Sequence, residues 1–178
     1  MVDVRHLLVG LSLILVTAFA QADSAREVAW TRAALSRLPV GKHDRTPERI
    51  AQHARNLDVF AVEMARVAEK EPLPAKQWIS LLGAIGSVES NFDTEVTAGR
   101  CERWQCDAHL VKGVVVHRAK GSFQQQLTTV VADLWPTADD NIPAQVEMAD
   151  RTLRRSLGRC KGFAAFPAHV FRAYGGGR

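Results

Sequence analysis

Apolar residues recur at helical spacing along most of the chain that follows residue 22. The segment 23–38 is mildly amphipathic and predicts a first helix. In the next segment Thr46 is suited to cap a helix, Pro47 to its first position and Glu48 to its first turn. The apolar stripe that follows consists of Ile50, Leu57, Phe60, Met64 and Val67. This stripe predicts a second, longer helix that ends before Pro72.

The middle of the chain changes character after one more helix. A third helix is predicted from Lys76 to Phe92, and the segment 93–120 then has no clear period. We interpret 93–120 as a long loop that carries Cys101 and Cys106. Within it, "GVVVHR" at 113–118 favours a short strand, because β-branched residues prefer extended backbone.

Helical spacing returns in the last third of the chain. A helix is predicted over 122–135, with an apolar face formed by Phe123, Leu127, Val130, Val131 and Leu134. Asn141 is suited to cap another helix over 142–157, with a stripe formed by Ile142, Val146, Ala149, Leu153 and Leu157. A short last helix is predicted over 166–174. The fold class is therefore mainly α: a single helical domain with a long cysteine-bearing loop and at most a short β element.

Length and charge narrow the class of protein. A chain of 178 residues suits one domain with a real core. Hydrophobic residues make up 47% and charged residues 24%, which are ordinary values for a globular protein and disfavour disorder or a multi-span membrane protein. The net charge is +4, but no dense Lys/Arg block is present, so we expect no nucleic-acid partner.

The N-terminus is typical of an export signal. Arg5 and His6 precede a charge-free apolar run over 7–20, and small residues follow at the spacing of a cleavage site. This run is shorter than the roughly 20 residues that a bilayer span needs. We expect 1–22 to be a signal peptide and the mature protein to be periplasmic or secreted, without a stable membrane span. An uncleaved membrane anchor is the alternative.

Export gives meaning to the three cysteines, because disulfides persist in oxidising compartments. We predict a Cys101–Cys106 disulfide and an unpaired Cys160. A zinc site made by Cys101, Cys106, His109 and His117 is the alternative, but its spacing is looser than that of common zinc modules. We expect neither a metal nor another cofactor.

One glutamate lies in line with the apolar residues of the third helix. At 100° per residue, Trp78, Leu82 and Ile85 point almost the same way, and Glu89 follows Ile85 by four residues. The same face is flanked by Leu81, Val88 and Phe92. A carboxylate in such surroundings binds a proton more readily, as a glycosidase general acid must. The alternative is a structural role, in which Glu89 caps a neighbouring helix or pairs with an arginine.

A resemblance extends this interpretation. "SVESNF" resembles the E-S-x-F signature of the lysozyme-like lytic transglycosylases, in the superfamily of soluble lytic transglycosylases and goose-type lysozymes. "GSFQ" at Gly121–Gln124 is similar to the family's Gly-x-x-Gln element, and "AYGGG" at Ala173–Gly177 resembles its Ala-Tyr-Asn-x-Gly element, with Gly175 in place of asparagine. After the expected signal peptide over 1–22, the resemblance implies an N-terminal helical segment over 23–75 that packs on the catalytic domain, and a lysozyme-like transglycosylase domain over 76–178.

The resemblance also implies roles for individual residues. Glu89 would be the catalytic acid/base, Ser90 would help to hold it, Gln124 would line the sugar cleft, and Tyr174 would reach toward the glutamate. The substrate would be the glycan strands of peptidoglycan, cut between MurNAc and GlcNAc with formation of a 1,6-anhydro end. We expect a monomer.

Two other functions stay open at this point. Hydrolysis would need a second carboxylate, for which Asp93, Glu95 and Asp107 are the candidates. The other is that of a peptidoglycan-binding or assembly protein that keeps this fold without catalysis.

Overall fold

A computed structural model describes residues 24–71, 73–102 and 106–159. Its helices are α1 over 24–35, α2 Pro47–Ala68, α3 Ala75–Ser90, α4 Thr94–Thr97 and α5 Ile142–Arg159, with a 3₁₀ turn at Trp135–Thr137. Its strands are β1 Ala108–Val111, β2 Val114–His117, β3 Ala119–Lys120 and β4 Gln125–Gln126. The mainly α fold class is confirmed.

Helix α2 forms the centre of the core. Its start agrees with the sequence prediction, because the Thr46 side chain accepts a hydrogen bond from Arg49 N at 3.3 Å and Pro47 is the first helical residue. Leu57, Phe60, Met64 and Val67 are buried as predicted. Ile50 is not, with 45% of its surface exposed, because the first turn of α2 lies beside an open groove between α1 and α2.

Three phenylalanines join the helical core to the segment after α3. The ring of Phe60 lies edge-on to those of Phe92 and Phe123, with centroid distances of 4.8 Å and 5.8 Å. Phe92 and Phe123 contact each other in the same way at 5.8 Å. Gly86 leaves room for this cluster, since a Cβ atom on it would overlap the Phe92 ring. Edge-to-face pairs are favourable beyond the area they bury, so the cluster fixes how the end of α3 meets α2.

The first turn of α3 is attached to α5 through a buried polar contact. Trp78 Nε1 donates a hydrogen bond to Asp150 Oδ1 at 2.9 Å, and neither residue is exposed. Arg154 Nη2 lies 2.7 Å from Asp150 Oδ2, so the buried carboxylate has both a neutral donor and a cation. Because both ends of α3 are attached to other elements, its rotation about its own axis is fixed.

The cysteine-bearing segment 93–120 has more structure than predicted. It begins with the short helix α4 and contains the antiparallel hairpin β1–β2, whose register pairs Ala108 with His117 and Val111 with Val114. The predicted strand at 113–118 is confirmed as β2, whereas its partner β1 was not predicted. A second short ribbon pairs β3 with β4.

The predicted helix over 122–135 is wrong. Gln124 has a φ of +46°, and the next two residues pair with β3 as strand β4. β-branched residues at 128–131 are poor helix formers, so the local preference for a helix is weak. The Gln125 side chain is buried and accepts a hydrogen bond from Thr152 Oγ1 at 2.6 Å, an interaction that holds the strand against α5. Leu127, expected in the core, is 59% exposed.

Helix α5 agrees with the prediction over 142–157 and continues to Arg159. Asn141 Oδ1 accepts a hydrogen bond from Ala144 N at 3.2 Å, as expected of a cap. The predicted signal peptide, Cys160 and the predicted last helix over 166–174 lie outside the described residues. Within the described ranges, no helix is long and apolar enough to cross a membrane.

Candidate active site

Glu89 lies in the last turn of α3, where the buried face of the helix reaches the surface. Trp78, Leu82 and Ile85 on the same face are 0%, 0% and 3% exposed, which confirms the predicted stripe. Glu89 itself is exposed, so the stripe ends in a carboxylate that meets solvent. Val88, predicted to flank this face, is instead 84% exposed.

Desolvation shifts the pKa of Glu89. Partial burial raises the pKa of its carboxyl, and among the described residues no charged neighbour contributes to the shift. Among the residues that the structure describes, none forms a hydrogen bond or an ion pair with this carboxylate. The arginine partner expected of a structural glutamate is therefore not found in this part of the chain.

Ser90, the next residue, joins α3 to the Gly121–Gln124 segment. Its hydroxyl donates a hydrogen bond to the Ser122 carbonyl at 2.8 Å and accepts one from Phe92 N at 3.0 Å. Asn91 and Phe92 follow with φ values of 52° and 54°, so α3 ends two residues earlier than predicted. Two of the three motif segments, 32 residues apart at this contact, therefore meet in the structure.

Gln124 is held by the disulfide-bearing segment. Its Nε2 donates to the Gly121 carbonyl at 3.0 Å and lies 3.3 Å from the Cys106 sulfur. Cys101 and Cys106 form a disulfide with their Cα atoms 6.1 Å apart, which confirms the predicted pair. Two cysteines in a disulfide cannot act as zinc ligands, so this pairing disfavours the alternative zinc site. Among the described residues, no group of three or more side chains could hold a metal ion.

Asp93, a candidate second carboxylate, is buried and has hydrogen-bond partners that hold it in place. It is 2% exposed and caps α4, accepting hydrogen bonds from Glu95 N at 3.0 Å and Val96 N at 3.4 Å. His43 contributes further donors, with its backbone N at 2.9 Å and Nδ1 at 3.0 Å. Burial alone would raise the pKa of Asp93, but the hydrogen bonds and charge of His43 outweigh it and lower the pKa.

Asp107 and Glu95, the other candidates, are also bound to neighbouring groups. Asp107 lies at the start of the β1–β2 hairpin, where Oδ1 is 3.0 Å from His109 Nε2 and Oδ2 accepts from Gln126 Nε2 at 3.1 Å. Glu95 contacts Arg100 Nε at 2.9 Å and Arg49 Nη1 at 3.1 Å. Both carboxylates therefore already have hydrogen-bond or ion-pair partners, and the contact with Arg100 lowers the pKa of Glu95.

Gln145, which was not predicted to belong to the site, holds the Gly121–Gln124 segment against α5. This side chain is 1% exposed; its Oε1 accepts from Ser122 N at 2.9 Å, and its Nε2 donates to the carbonyls of Thr97 and Ala138 at 2.7 Å and 2.8 Å. A Cβ atom on Gly121 would meet this amide at 2.5 Å, so glycine is required there. The missed signal was a polar residue three positions after Ile142 on the apolar face of α5, the same kind of signal that identified Glu89.

Tyr174, the remaining predicted site residue, lies outside the described residues. Comparison of the chain with family models, curated proteins and solved structures gives no significant match. The candidate site consequently rests on the geometry of Glu89, Ser90 and Gln124, together with the motif resemblance.

Proposed function

We propose that this protein is a peptidoglycan-cleaving enzyme that breaks the β-1,4 bond between MurNAc and GlcNAc by lytic transglycosylation. Glu89 is the acid/base. One observation carries the proposal: a carboxylate at the end of a buried helical stripe, with a raised pKa and no cationic partner among the described residues. A general acid needs such a group, because it must hold a proton near neutral pH and reach a substrate.

In the proposed mechanism, Glu89 first donates its proton to the glycosidic oxygen as the bond to the leaving sugar breaks. The same carboxylate, now ionised, accepts the proton of the muramic C6 hydroxyl. The C6 oxygen attacks the anomeric carbon, which gives the 1,6-anhydro product and returns Glu89 to its protonated form. No water is consumed, and one carboxylate performs both proton transfers.

The occupancy of the other carboxylates favours this mechanism over hydrolysis. Ordinary glycosidases place a second free carboxylate near the acid. Asp93 accepts hydrogen bonds from several backbone groups and from His43, while Asp107 contacts His109 and Gln126. Hydrolysis therefore requires one of these groups to be released first, and it remains the second candidate mechanism. A peptidoglycan-binding protein without catalysis is the alternative from another class.

The remaining assignments follow from the same proposal. Ser90 positions the turn that carries Glu89, Gln124 lines the glycan cleft, and Tyr174 approaches Glu89 from the C-terminal segment. The enzyme acts as a periplasmic or secreted protein after removal of 1–22, requires no cofactor and is a monomer that binds glycan strands.

The decisive experiment is digestion of purified peptidoglycan, followed by mass spectrometry of the products. Wild-type protein should release anhydro-muropeptides, and Glu89→Gln should lower the rate by roughly 10²–10⁴-fold or more, the range for loss of a general acid. Asp93→Asn and Asp107→Asn test the hydrolytic alternative in parallel. Reducing-end products without anhydro ends would favour hydrolysis, and glycan binding without cleavage by the wild type would favour the non-catalytic alternative.

A further inference from the structure

His43 lies between two carboxylates that belong to different segments of the chain. Its Nδ1 is 3.0 Å from both carboxylate oxygens of Asp93, and its Nε2 is 2.7 Å from Glu102 Oε1. Asp93 caps α4 directly after the Glu89 helix, whereas Glu102 follows Cys101 in the disulfide-bearing segment. The His43 imidazole thus connects the segment ahead of α2 to the start of α4 and to the disulfide-bearing segment.

The hydrogen-bond geometry favours one protonation state of this ring. A neutral imidazole has one N–H group and one lone pair, whereas an imidazolium has two N–H donors. Ionised carboxylates only accept hydrogen bonds, so two such contacts at 2.7–3.0 Å require a donor at each ring nitrogen. The neutral ring would direct its lone pair at one of the two carboxylates.

We propose that His43 is a doubly protonated latch, and that loss of one proton breaks its contact with Glu102 and weakens the attachment of the disulfide-bearing segment, while the Lys42–Glu102 ion pair stays in place. Asp93 retains the remaining N–H because it is buried and also accepts from the His43 backbone N at 2.9 Å. The Glu102 side chain is 53% exposed, so water readily replaces the ring there. The proposal does not depend on the chemistry of Glu89.

The charged groups around the ring favour the imidazolium. Lys42 Nζ contacts Glu102 Oε2 at 2.9 Å, and from α2 Arg49 Nη1 donates to the His43 carbonyl at 3.4 Å while also contacting Glu95. Both cations are themselves paired with carboxylates. Hydrogen bonding to Glu102, followed by that to Asp93, raises the pKa of His43 above its ordinary value, although partial burial opposes the shift.

The latch has a definite direction with pH. A histidine whose pKa is raised on folding contributes stability that is complete below the unfolded value of about 6.5. That contribution is lost as the pH rises through the folded value. The attachment of the disulfide-bearing segment is consequently strongest below the ordinary pKa of histidine and weakens as the pH rises through the folded pKa of His43. Because Cys106 contacts Gln124, the same change reaches the candidate site.

The first test is a titration of the His43 ring by NMR in the full chain, with the signals assigned through His43→Gln. We expect a midpoint above the ordinary value of about 6.5. Glu102→Gln should shift this midpoint downward. The matched control is Glu69→Gln, which removes one exposed negative charge at the opposite end of α2, roughly 33 Å away at 1.5 Å per residue. A midpoint at or below the ordinary value, or equal shifts in both variants, would overturn the proposal.

The second test measures the release itself by amide hydrogen exchange. The Arg118 and Ala119 amides donate to the Cys106 carbonyl at 3.1 Å and 2.9 Å, so their protection reports on the segment. After correction for the intrinsic rate, protection in the wild type should fall several-fold as the pH passes the His43 midpoint. Glu102→Gln should show, both below and above the His43 midpoint, the lower protection that the wild type shows above it. Glu69→Gln should follow the wild type. Protection that is independent of both pH and Glu102 would refute the latch.

Discussion

The Ser90 hydroxyl donates a hydrogen bond to the Ser122 carbonyl at 2.8 Å. This contact joins the residue next to Glu89 to the Gly121–Gln124 segment, which is distant in sequence. The backbone N of Phe92 donates to the same hydroxyl at 3.0 Å, so the side chain also stabilises the left-handed turn that ends α3. Ser90 therefore connects the end of the helix that carries Glu89 to the Gly121–Gln124 segment.

We predict that Ser90→Ala lowers the free energy of unfolding by about 1 kcal/mol, the usual net value of one partly buried hydrogen bond. Release of anhydro-muropeptides should fall more than this loss of stability explains, because the turn after Glu89 is no longer fixed. Urea denaturation and peptidoglycan digestion on the same sample measure both quantities.

Ser80→Ala is the control, since Ser80 lies in the same helix and, among the described residues, its hydroxyl bonds to the Lys76 carbonyl one turn earlier, at 2.7 Å. It should leave both quantities nearly unchanged. Equal effects of the two substitutions would show that Ser90 has no special part in the site.

A second prediction concerns the dependence of stability on pH. Burial raises the pKa of Glu89 above its ordinary value of 4.5, so the ionised form is disfavoured in the folded state. Below that ordinary value the carboxyl is protonated in both states, and Glu89→Gln should melt at the same temperature as the wild type. As the pH rises through the folded value, the wild type loses stability that the variant keeps, so the variant should melt at an equal or higher temperature at pH 7.

Glu95→Gln is the matched control with the opposite sign. A hydrogen bond from Arg100, together with the charges of Arg100 and Arg49, lowers the pKa of Glu95 although burial opposes the shift. This variant should lose melting temperature at pH 7, and the loss should disappear as the pH falls through the folded pKa of Glu95. A large drop for Glu89→Gln at pH 7 would instead indicate a structural ion pair.

The sequence predicted best those elements whose stability comes from one apolar stripe. Helices α2, α3 and α5 each carry such a stripe, and their boundaries agree with the prediction within a few residues. A polar residue within the stripe of α3 was enough to select Glu89. The same rule applied to α5 would have selected Gln145.

In the segment 122–135, contacts with distant residues override the local helical pattern. Its apolar residues fit a helix, but β-strand pairing with β3 and buried hydrogen bonds with α5 override a weak local preference. These partners are 20 or more residues away in the chain for Ser122 and Gln125, so no local pattern reveals them. The His43 contacts with Asp93 and Glu102 escaped prediction for the same reason.

A third prediction tests Gln145. Replacing it by leucine leaves Ser122 N without its hydrogen-bond partner and removes one of two donors from each of the carbonyls of Thr97 and Ala138, which keep Asp140 N and Asn141 N. We expect Gln145→Leu to lower the free energy of unfolding by about 1–3 kcal/mol, the cost of one buried polar group left without a hydrogen bond. Gln77→Leu, at an exposed position near the start of α3, should change stability little. A loss below about 1 kcal/mol for Gln145→Leu would contradict the assigned hydrogen bonds.

The last prediction concerns the Cys101–Cys106 disulfide. The bridge closes a short loop, with a sequence separation of 5, so its chain-entropy contribution is about 2 kcal/mol, less than a long-loop bridge would give. The experiment needs a Cys160→Ser background, in which no third thiol can exchange with the bridge. In that background, changing both cysteines to serine should lower the free energy of unfolding by about 2 kcal/mol in urea. Reductant should lower the stability of the parent by a similar amount and leave the double-serine variant unchanged.

Since Gln124 contacts the Cys106 sulfur at 3.3 Å, the double-serine variant should also release anhydro-muropeptides more slowly at temperatures where it stays folded. A variant that loses stability but keeps the full rate of product release would confine the bridge to a structural role and separate Gln124 from it.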